Sequence, residues 1–319
     1  MSRYEEFSLQ TLIHNDSIIP YTLDDEVQAK VSDGSVYRDE LIESFKNPDQ
    51  IAGVKLPWGS THFNVRFRSG ETTIWAGING HGKSQLLGMV SIGWIAQGES
   101  VLNISLEMKP LATLKRMAIQ ACMNDQPTEA ILNKFMDFML CSGYVFNHQG
   151  NIEPKLIFGA IRYSADKGIK HVIIDSLMKC IKGVDDYNAQ KDFVNQITQL
   201  AQQYNVHVHL VHHIRKQENE QKVPNKFDLV GSGAITDLAD QVIIVYRNKQ
   251  KERILERDPA NQEALTMPDA VLSVDKNRHG EWEGRIPLWY NPNCKQYLST
   301  SRKQPIELMA KSTYEFTRP

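Results

Sequence analysis

A glycine-rich turn between an apolar run and a segment of helical periodicity most constrains this chain of 319 residues. The run at 72–77 is rich in β-branched and aromatic residues, and apolar residues recur at helical spacing after the turn. Gly77, Gly82, Lys83 and Ser84 fit the pattern G-x-x-x-x-G-K-[ST]. A strand, a turn and a helix in this order predict a phosphate-binding loop (P-loop) rather than a chance glycine turn.

Each residue type in this loop has a chemical reason. Glycines let the backbone turn and bring its N–H groups close to anionic oxygens, and the following helix N-terminus adds positive partial charge. We expect the ammonium of Lys83 to reach the β- and γ-phosphates and the hydroxyl of Ser84 to ligate Mg²⁺. The nucleotide-binding residues predicted here are Gly77, Asn79, Gly80, His81, Gly82, Lys83, Ser84 and Gln85.

The composition excludes several other classes of protein. Apolar residues make up 41% of the chain and the formal charge is −2, so a large core is available and no overall basic field attracts nucleic acid. The cysteines lack a C-x-x-C pair, which argues for reduced thiols and against a zinc ribbon. The acidic N-terminus has no apolar segment, and no run reaches membrane-spanning length. We therefore expect a cytoplasmic protein with no membrane contact.

Apolar runs of strand length alternate with segments of helical periodicity. The runs lie at 100–106, 171–175, 206–212, 241–246, 270–275 and 286–290, and the helical segments at 111–123, 127–140, 152–167 and 188–204. Because several runs are apolar on both faces, they predict an α/β fold with a mostly parallel sheet covered by helices on both sides.

A short amphipathic helix is predicted ahead of this domain. Val36, Leu41, Ile42 and Phe45 lie near helical spacing, and Pro48 follows them. A helix of this length is marginal alone, so its apolar face needs a partner. Two interpretations are open: the helix packs on its own domain, or it docks on a neighbouring subunit.

Polar residues follow three of the predicted strands, where the active site of a parallel sheet forms. Asp175 is predicted to hold Mg²⁺ through water, and the alternative is a cap on the next segment. Glu107 is predicted to orient and deprotonate the attacking water, and the alternative is a solvated acid at a helix N-terminus. His213 is predicted to sense the γ-phosphate by donating a hydrogen bond.

His213 belongs to a cluster with His207, His209 and His212. Residues 207, 209 and 213 share one face of the strand by parity. A metal site is conceivable here, but neither a cysteine nor a carboxylate lies close in sequence, and a buried strand leaves little room for an ion. We favour core histidines with one functional member over a wholly structural cluster.

Two basic stretches are candidates for phosphate contacts. The loop at 214–230 carries both signs of charge, so its charge alone argues weakly for nucleic acid and a flexible surface loop is the alternative. It leads into a glycine-rich stretch suited to an anion-binding nest. The contacts predicted here are Arg215, Lys216, Lys222, Lys226, Gly231, Ser232 and Gly233. Lys276 and Arg278 form either a solvated basic turn or an arginine finger acting on another subunit.

In this order, the motifs resemble those of the hexameric replicative helicases of the RecA-like superfamily, the DnaB-type group. The nearest likeness is to the mitochondrial helicase Twinkle and the helicase half of bacteriophage primase-helicases. The resemblance covers roughly residues 36–298 and joins the P-loop to Ser105-Leu106-Glu107, His171-Val172-Ile173-Ile174-Asp175, His213-Ile214-Arg215-Lys216, Gly231-Ser232-Gly233-Ala234, Lys276-Asn277-Arg278 and Tyr290-Asn291.

The resemblance implies a RecA-like P-loop NTPase core that hydrolyses ATP, dTTP or another NTP with Mg²⁺. It implies a catalytic Glu107, a γ-phosphate sensor at His213, and Arg278 with Lys276 beside it reaching the neighbour's nucleotide. Tyr290 and Arg247 would lie near the base. The implied partners are single-stranded DNA, followed 5′ to 3′ by the 214–230 loops, and further copies of the chain in a hexamer or heptamer, with the 36–46 helix docking on the adjacent subunit.

The domain boundaries follow from this resemblance: an arm at 1–34, a linker helix and connector at 35–59, the helicase ATPase domain at 60–300 and a tail at 301–319. Two residues depart from the family pattern, since Ser84 replaces a common threonine and His81 replaces a small residue. We recognise no primase, zinc-binding or TOPRIM-like region in the sequence. Either a separate primase works with this chain, alongside a polymerase, or the chain is one domain of a longer product.

The acidic, arginine-poor N-terminus favours a bacterial or phage source over a mitochondrial one. Three other functions remain open on the same fold. They are a RecA/RadA-type recombination or repair ATPase, a nucleotide-switched loader or accessory protein with little hydrolysis, and a P-loop kinase of small molecules.

Overall fold

The computed structural model describes residues 31–46, 53–181, 183, 186–214, 223–230, 233–302 and 304–314. Within these ranges, no helix combines the length and the apolar composition that crossing a membrane requires. Two compact units are distinguished, at 1–51 and 52–319, and each is described by itself.

The larger unit is built on one extended sheet. Its strands in the described residues are β3 (Thr72–Gly77), β4 (Val101–Ser105), β5 (Gly143–Val145), β6 (His171–Asp175), β7 (His207–His213), β8 (Gln241–Arg247), β9 (Ala270–Asn277), β10 (Gly284–Asn291) and β11 (Gln296–Leu298). They lie in the order β11-β10-β9-β8-β3-β7-β6-β4-β5. Strands β3 to β8 pair in parallel, whereas β9, β10 and β11 add antiparallel pairs at one side. A separate pair joins β1 (Val54–Lys55) to β2 (Arg66–Phe67).

Helices cover both faces of this sheet. Alternate residues of β3 show the two cores: Trp75 packs in one hydrophobic cluster, whereas Ile74 and Ala76 pack in the other. The helices of this unit are α2 (Lys83–Ala96), α3 (Pro110–Ala121), α4 (Glu129–Met139), α5 (Pro154–Asp166), α6 (Tyr187–Tyr204), α7 (Gly233–Leu238), α8 (Lys249–Arg257) and α9 (Gln262–Thr266). Apolar residues of α2, α3 and α4 belong to the first cluster, and those of α5, α6 and α7 belong to the second.

The predicted fold class, a mostly parallel sheet with helices on both faces, is confirmed. The sequence reading missed β5 and β11, which are three residues each and lie at the two edges of the sheet. Runs this short carry too few residues for periodicity to register. The sequence also predicts that β9 ends at residue 275, two residues before its last residue in the structure, because Lys276 and Asn277 are polar.

The smaller unit contains a helix where the sequence predicts one. A short 3₁₀ turn, Gly34–Tyr37, leads into α1, Arg38–Lys46, and the Asp33 side chain accepts a hydrogen bond from the Ser35 backbone N–H. The apolar side chains of this segment are exposed: Val36, Tyr37, Leu41, Ile42 and Phe45.

Candidate functional site

The P-loop joins β3 to α2, and its glycines are required by the backbone. Gly80 and Gly82 have φ of 79° and 85°, a region that disfavours side chains. A Cβ on Gly77 would lie 2.5 Å from the carbonyl oxygen of Val245. Only glycine fits these positions, so the loop backbone forms a cradle open to phosphate oxygens.

Lys83, the first residue of α2, is buried and turned back across the loop. Its Nζ donates to the carbonyl oxygens of Gly77 at 2.8 Å and Ile78 at 3.1 Å. Burial lowers the pKa of Lys83 to about 8, and the carboxylates of Asp175 and Glu107 oppose that shift. The ammonium is held by carbonyls that a phosphate can replace as acceptors.

Ser84 and Asp175 meet where α2 begins and β6 ends. The hydroxyl of Ser84 donates to Oδ2 of Asp175 at 2.5 Å. Burial raises the pKa of Asp175, and the hydrogen bond from Ser84 works in the opposite direction. A hydroxyl and a carboxylate beside a phosphate-binding loop are hard oxygen donors, the set that Mg²⁺ takes in nucleotide sites. These two residues fit the predicted metal.

Glu107, Ser176 and His213 form a hydrogen-bonded row across the ends of β4, β6 and β7. The Ser176 hydroxyl lies 3.3 Å from Oε1 of Glu107 and 3.3 Å from Nε2 of His213. On its other side, Nδ1 of His213 lies 3.5 Å from Nζ of Lys83. Burial lowers the pKa of His213 to about 4, and the charge of Lys83 adds to this, so the imidazole is neutral at pH 7.

Because His213 is neutral, the donor and the acceptor of each hydrogen bond in that row can be assigned. Lys83 has only donors, so the imidazole accepts at Nδ1 and carries its proton on Nε2. That proton is donated to the Ser176 oxygen, and the Ser176 hydroxyl donates to Glu107. The tautomer is assigned from this network. Sequence reasoning missed Ser176, although its place next to Asp175 at a strand end was a signal.

One pocket brings the predicted phosphate-site residues together. Asn79, Gly80, Gly82, Lys83, Ser84, Gln85, Glu107, Asp175 and His213 all line it. Arg116, on α3, lines the same pocket and was not predicted. Its guanidinium makes no hydrogen bond or ion pair with the described part of the chain, and its charge lowers the pKa of Asp175, though less than burial raises it. A helix interior carries no motif that would have marked this residue.

A second pocket adjoins the first and shares lining residues of the P-loop with it. It is lined by Gly80, Gly82, Gln85, Arg247, Glu252, Asp269, Tyr290, Pro292 and Tyr297, so both residues implied for the base lie here. The Gln85 amide donates to the Tyr290 hydroxyl at 2.9 Å, and Arg247 pairs with Glu252. An aromatic ring, an amide and a guanidinium beside a phosphate site suit a nucleobase and its ribose.

His81, the unusual residue of the P-loop, has a structural partner. It is buried, and its Nδ1 accepts the backbone N–H of Arg247 at 3.1 Å. The ring also meets Tyr246 edge-on, with centroids 5.7 Å apart. The histidine therefore ties the P-loop to the end of β8, which carries Arg247.

Lys276 and Arg278 do not line either pocket of the described chain. Lys276 Nζ donates to the carbonyl oxygens of Thr236 at 2.8 Å and Asp237 at 2.9 Å. Arg278 pairs with Asp240 at 2.8 Å and remains 43% exposed. Both cations are therefore held by residues at the end of α7 and just after it, and neither faces the P-loop pocket.

Most of the predicted nucleic-acid loop, namely Arg215, Lys216, Lys222, Gly231 and Ser232, lies outside the described residues. Two of its members are described. Gly233 opens α7, and Lys226 stands in a 3₁₀ turn, where its backbone N–H donates to Asp275 at 2.8 Å and its Nζ donates to the Asp275 carbonyl at 3.0 Å.

The buried histidines form a stack with a different membership from the predicted cluster. His171 joins His207 and His209, and ring nitrogens of the three lie within 4.8 Å of one another. These nitrogens are hydrogen-bonded: His171 to His209 at 3.1 Å, and His207 to the Arg68 carbonyl and to Thr73. The rings of His171 and His209 also stack on Trp94, as expected of side chains in a packed core.

Comparison with known proteins decides the family. A model described as the DnaB-like helicase C terminal domain matches residues 63–299. The chain belongs to the DnaB-like helicases. This family hydrolyses NTP and acts on DNA, so the chain is an NTP-hydrolysing DNA helicase.

Two solved structures share the RecA-like fold of this helicase. One is described as an ATPase domain, and it matches with a TM-score of 0.69 and 19% identity over 84% of this chain and 99% of that one. The other is a DnaB-like replicative helicase, described with its interactions with primase. It matches with a TM-score of 0.67 and 19% identity, covering 86% of this chain and 70% of that one.

Proposed function

We propose that the helicase forms a ring, hydrolyses NTP at the boundaries between subunits, and moves 5′ to 3′ along single-stranded DNA to unwind the duplex. The observation that carries this proposal is the division of the predicted catalytic and metal-binding residues into two groups. Lys83, Ser84, Glu107, Asp175 and His213 face one pocket. Arg278 is held at a different place on the same subunit, where it remains exposed. A site so divided is completed by a second copy of the chain.

The nucleotide is bound by both pockets. The loop N–H groups and Lys83 hold the phosphates, and Tyr290 and Arg247 lie beside the base and ribose. Ser84 and Asp175 would hold Mg²⁺. When bound, Mg²⁺ shields the charge of the phosphate oxygens.

Hydrolysis is assigned to Glu107. Its carboxylate accepts a proton from the water whose oxygen attacks the γ-phosphorus, and the bond from that phosphorus to the β,γ-bridging oxygen breaks. Ser176 donates to Glu107 and so holds the carboxylate in place. His213 is within reach of both Ser176 and Lys83. It therefore transmits the loss of the γ-phosphate from Lys83 through Ser176 to Glu107.

A neighbouring subunit supplies the remaining charge. Arg278, with Lys276 beside it, stabilises the charge that develops on the transferred phosphoryl group, a role worth roughly 10³- to 10⁵-fold in rate for arginine fingers. The exposed apolar side chains of α1 dock on the adjacent subunit. The loop at 214–230 faces the DNA in the centre of the ring, and Lys226 supplies one of its cations. A separate primase and polymerase are the proposed protein partners.

Three measurements on one sample test this function. Size analysis with nucleotide is expected to give a hexamer or heptamer, single-stranded DNA is expected to raise NTP hydrolysis, and forks with a 5′ tail are expected to be unwound. Arg278→Ala is expected to lower turnover roughly 10³- to 10⁵-fold, to a small residual rate, whereas Arg285→Ala, an exposed arginine on β10, serves as the matched control. A monomer that hydrolyses NTP at full rate without responding to DNA would refute the proposal.

A further inference from the structure

Asp240 is a buried carboxylate that contacts two functional parts of the chain. It lies between α7 and β8, and its side chain is only 3% exposed. Its Oδ2 accepts the backbone N–H of Thr72 at 2.8 Å, and its own N–H donates to the Thr72 carbonyl at 2.9 Å. Thr72 is the first residue of β3, the strand that ends at the P-loop.

The other oxygen of the same carboxylate holds Arg278. Oδ1 of Asp240 accepts from Nη1 of Arg278 at 2.8 Å, while Nη2 donates to the Asp237 carbonyl at 2.9 Å. The backbone N–H of Arg278 also donates to the Asp240 carbonyl at 2.9 Å. Both ends of the arginine are therefore fixed by one short segment, although the residues are far apart in sequence.

This geometry leaves part of the Arg278 guanidinium free to contact a further ligand. A guanidinium carries five N–H donors, and the two side-chain contacts occupy only part of that set. The Arg278 side chain is 43% exposed beside a buried acceptor. A carboxylate with both oxygens already engaged has little freedom to move, so it presents the arginine in one orientation.

We infer that Asp240 is a positioning residue for Arg278, which fixes that arginine to the first residue of the strand carrying the subunit's own P-loop. This inference rests on the proposed function, in which Arg278 acts on the neighbour's nucleotide. Within one subunit, Arg278 acts on the neighbour's nucleotide and the P-loop binds the subunit's own nucleotide. These two elements then move as one body. Displacement of β3 in one subunit is transmitted through Asp240 to the adjacent active site.

The primary test is Asp240→Asn, with Glu281→Gln as control. The amide keeps the size of the side chain and one acceptor for Thr72, but it removes the charge that holds Arg278. We expect the kcat of DNA-stimulated hydrolysis to fall roughly 10- to 100-fold, as for a catalytic group displaced by about 1 Å, with KM changed by less than about twofold. Glu281→Gln removes an exposed carboxylate from the turn after Arg278 and is expected to leave kcat unchanged.

Two further measurements separate positioning from a general structural role. Arg278→Ala combined with Asp240→Asn is expected to be no slower than Arg278→Ala alone, because Asp240 acts only through the arginine. Mixing Asp240→Asn protomers with Lys83→Ala protomers is expected to recover hydrolysis, since the first retain an intact P-loop and the second an intact finger. A further loss in the double variant, or no recovery on mixing, would overturn the inference.

Folding is checked by circular dichroism and by urea unfolding. If Asp240→Asn does not fold, Asp240→Glu keeps the charge but shifts it by one methylene, and we expect an intermediate kcat from it. Full activity of either Asp240 variant, with an inactive Arg278→Ala, overturns this inference alone. Full activity of Arg278→Ala overturns the proposed function and this inference with it.

Discussion

The imidazole of His213 and the carboxylate of Glu107 share one hydroxyl group, that of Ser176, at 3.3 Å from each. Because His213 also faces Lys83, the row reaches from the phosphate-binding ammonium to the carboxylate assigned to the attacking water. Ser176 is fully buried, so bulk water does not replace it readily. We therefore propose that the loss of a γ-phosphate from Lys83 changes the hydrogen bonding of Glu107.

Ser176→Ala is predicted to lower kcat about 10-fold while leaving KM for the nucleotide nearly unchanged, because it frees Glu107 without touching the P-loop. Steady-state hydrolysis with saturating single-stranded DNA is the measurement. Ser164→Ala removes another buried hydroxyl, which donates to the Ala160 carbonyl on α5, and serves as the control for packing. Equal kcat for the Ser176 variant and the wild type would show that the hydrogen-bonded row does not position Glu107.

Glu107→Gln is predicted to separate binding from chemistry. The amide has the size of the carboxylate but cannot accept the proton of water, so turnover is expected to fall about 10²- to 10⁴-fold. Nucleotide binding, followed by a fluorescent analogue, is expected to persist because the P-loop contacts are unchanged. Glu129→Gln, an exposed acid on α4, is the control. Retained turnover would remove Glu107 from the catalytic role.

Strand-end residues were predictable because their placement needs only local information. The apolar runs before Asp175 and His213 mark two strands, and parallel strands bring their carboxyl ends to one edge of the sheet. In the register of the sheet, His213 lies opposite Gly77, and Asp175 lies opposite Ser105. The shared position of the P-loop, both acids and the histidine at one edge of the sheet follows from that rule.

Contacts between distant residues were not predictable from the sequence. Asp240 and Thr72 are 168 residues apart, and no periodicity or motif links them. The amide of Gln85 on α2 meets the hydroxyl of Tyr290 on β10, although the two residues are 205 positions apart in sequence. His171 joins the histidine stack because β6 pairs with β7, a register that no single strand reveals. Such contacts depend on the order of strands in the sheet.

Arg116→Ala is predicted to raise KM for the nucleotide and to lower kcat, each by about 10-fold. Its guanidinium lines the phosphate pocket and has no hydrogen-bond partner in the described chain, so it is available to an anionic ligand. Hydrolysis kinetics and nucleotide binding measure the two effects. Lys115→Ala removes an exposed charge from the adjacent position of α3 and is expected to behave like wild type. If the two variants are alike, Arg116 has no role in the site.

The stack of His171, His207 and His209 predicts a loss of stability on acidification. Burial lowers the pKa of His207 from 6.5 to about 3, and burial lowers the pKa of the other two well below 6.5. The folded chain then binds fewer protons than the unfolded chain below pH 6.5, so unfolding takes up protons there. As the pH decreases below 6.5, the free energy of unfolding is expected to fall by roughly 1.4 kcal/mol per pH unit for each histidine.

Urea unfolding at a series of pH values between 7.5 and 4.5 measures this loss. His209→Gln keeps an acceptor for the indole N–H of Trp75 but cannot titrate. Its free energy of unfolding is therefore expected to fall less steeply with decreasing pH than that of the wild type. The difference in slope corresponds to the uptake of about one proton fewer on unfolding. The comparison rests on the slope, because the substitution also alters packing against Trp94 and lowers stability at every pH. Parallel curves for the two proteins would show that the stack does not remain neutral in the folded state.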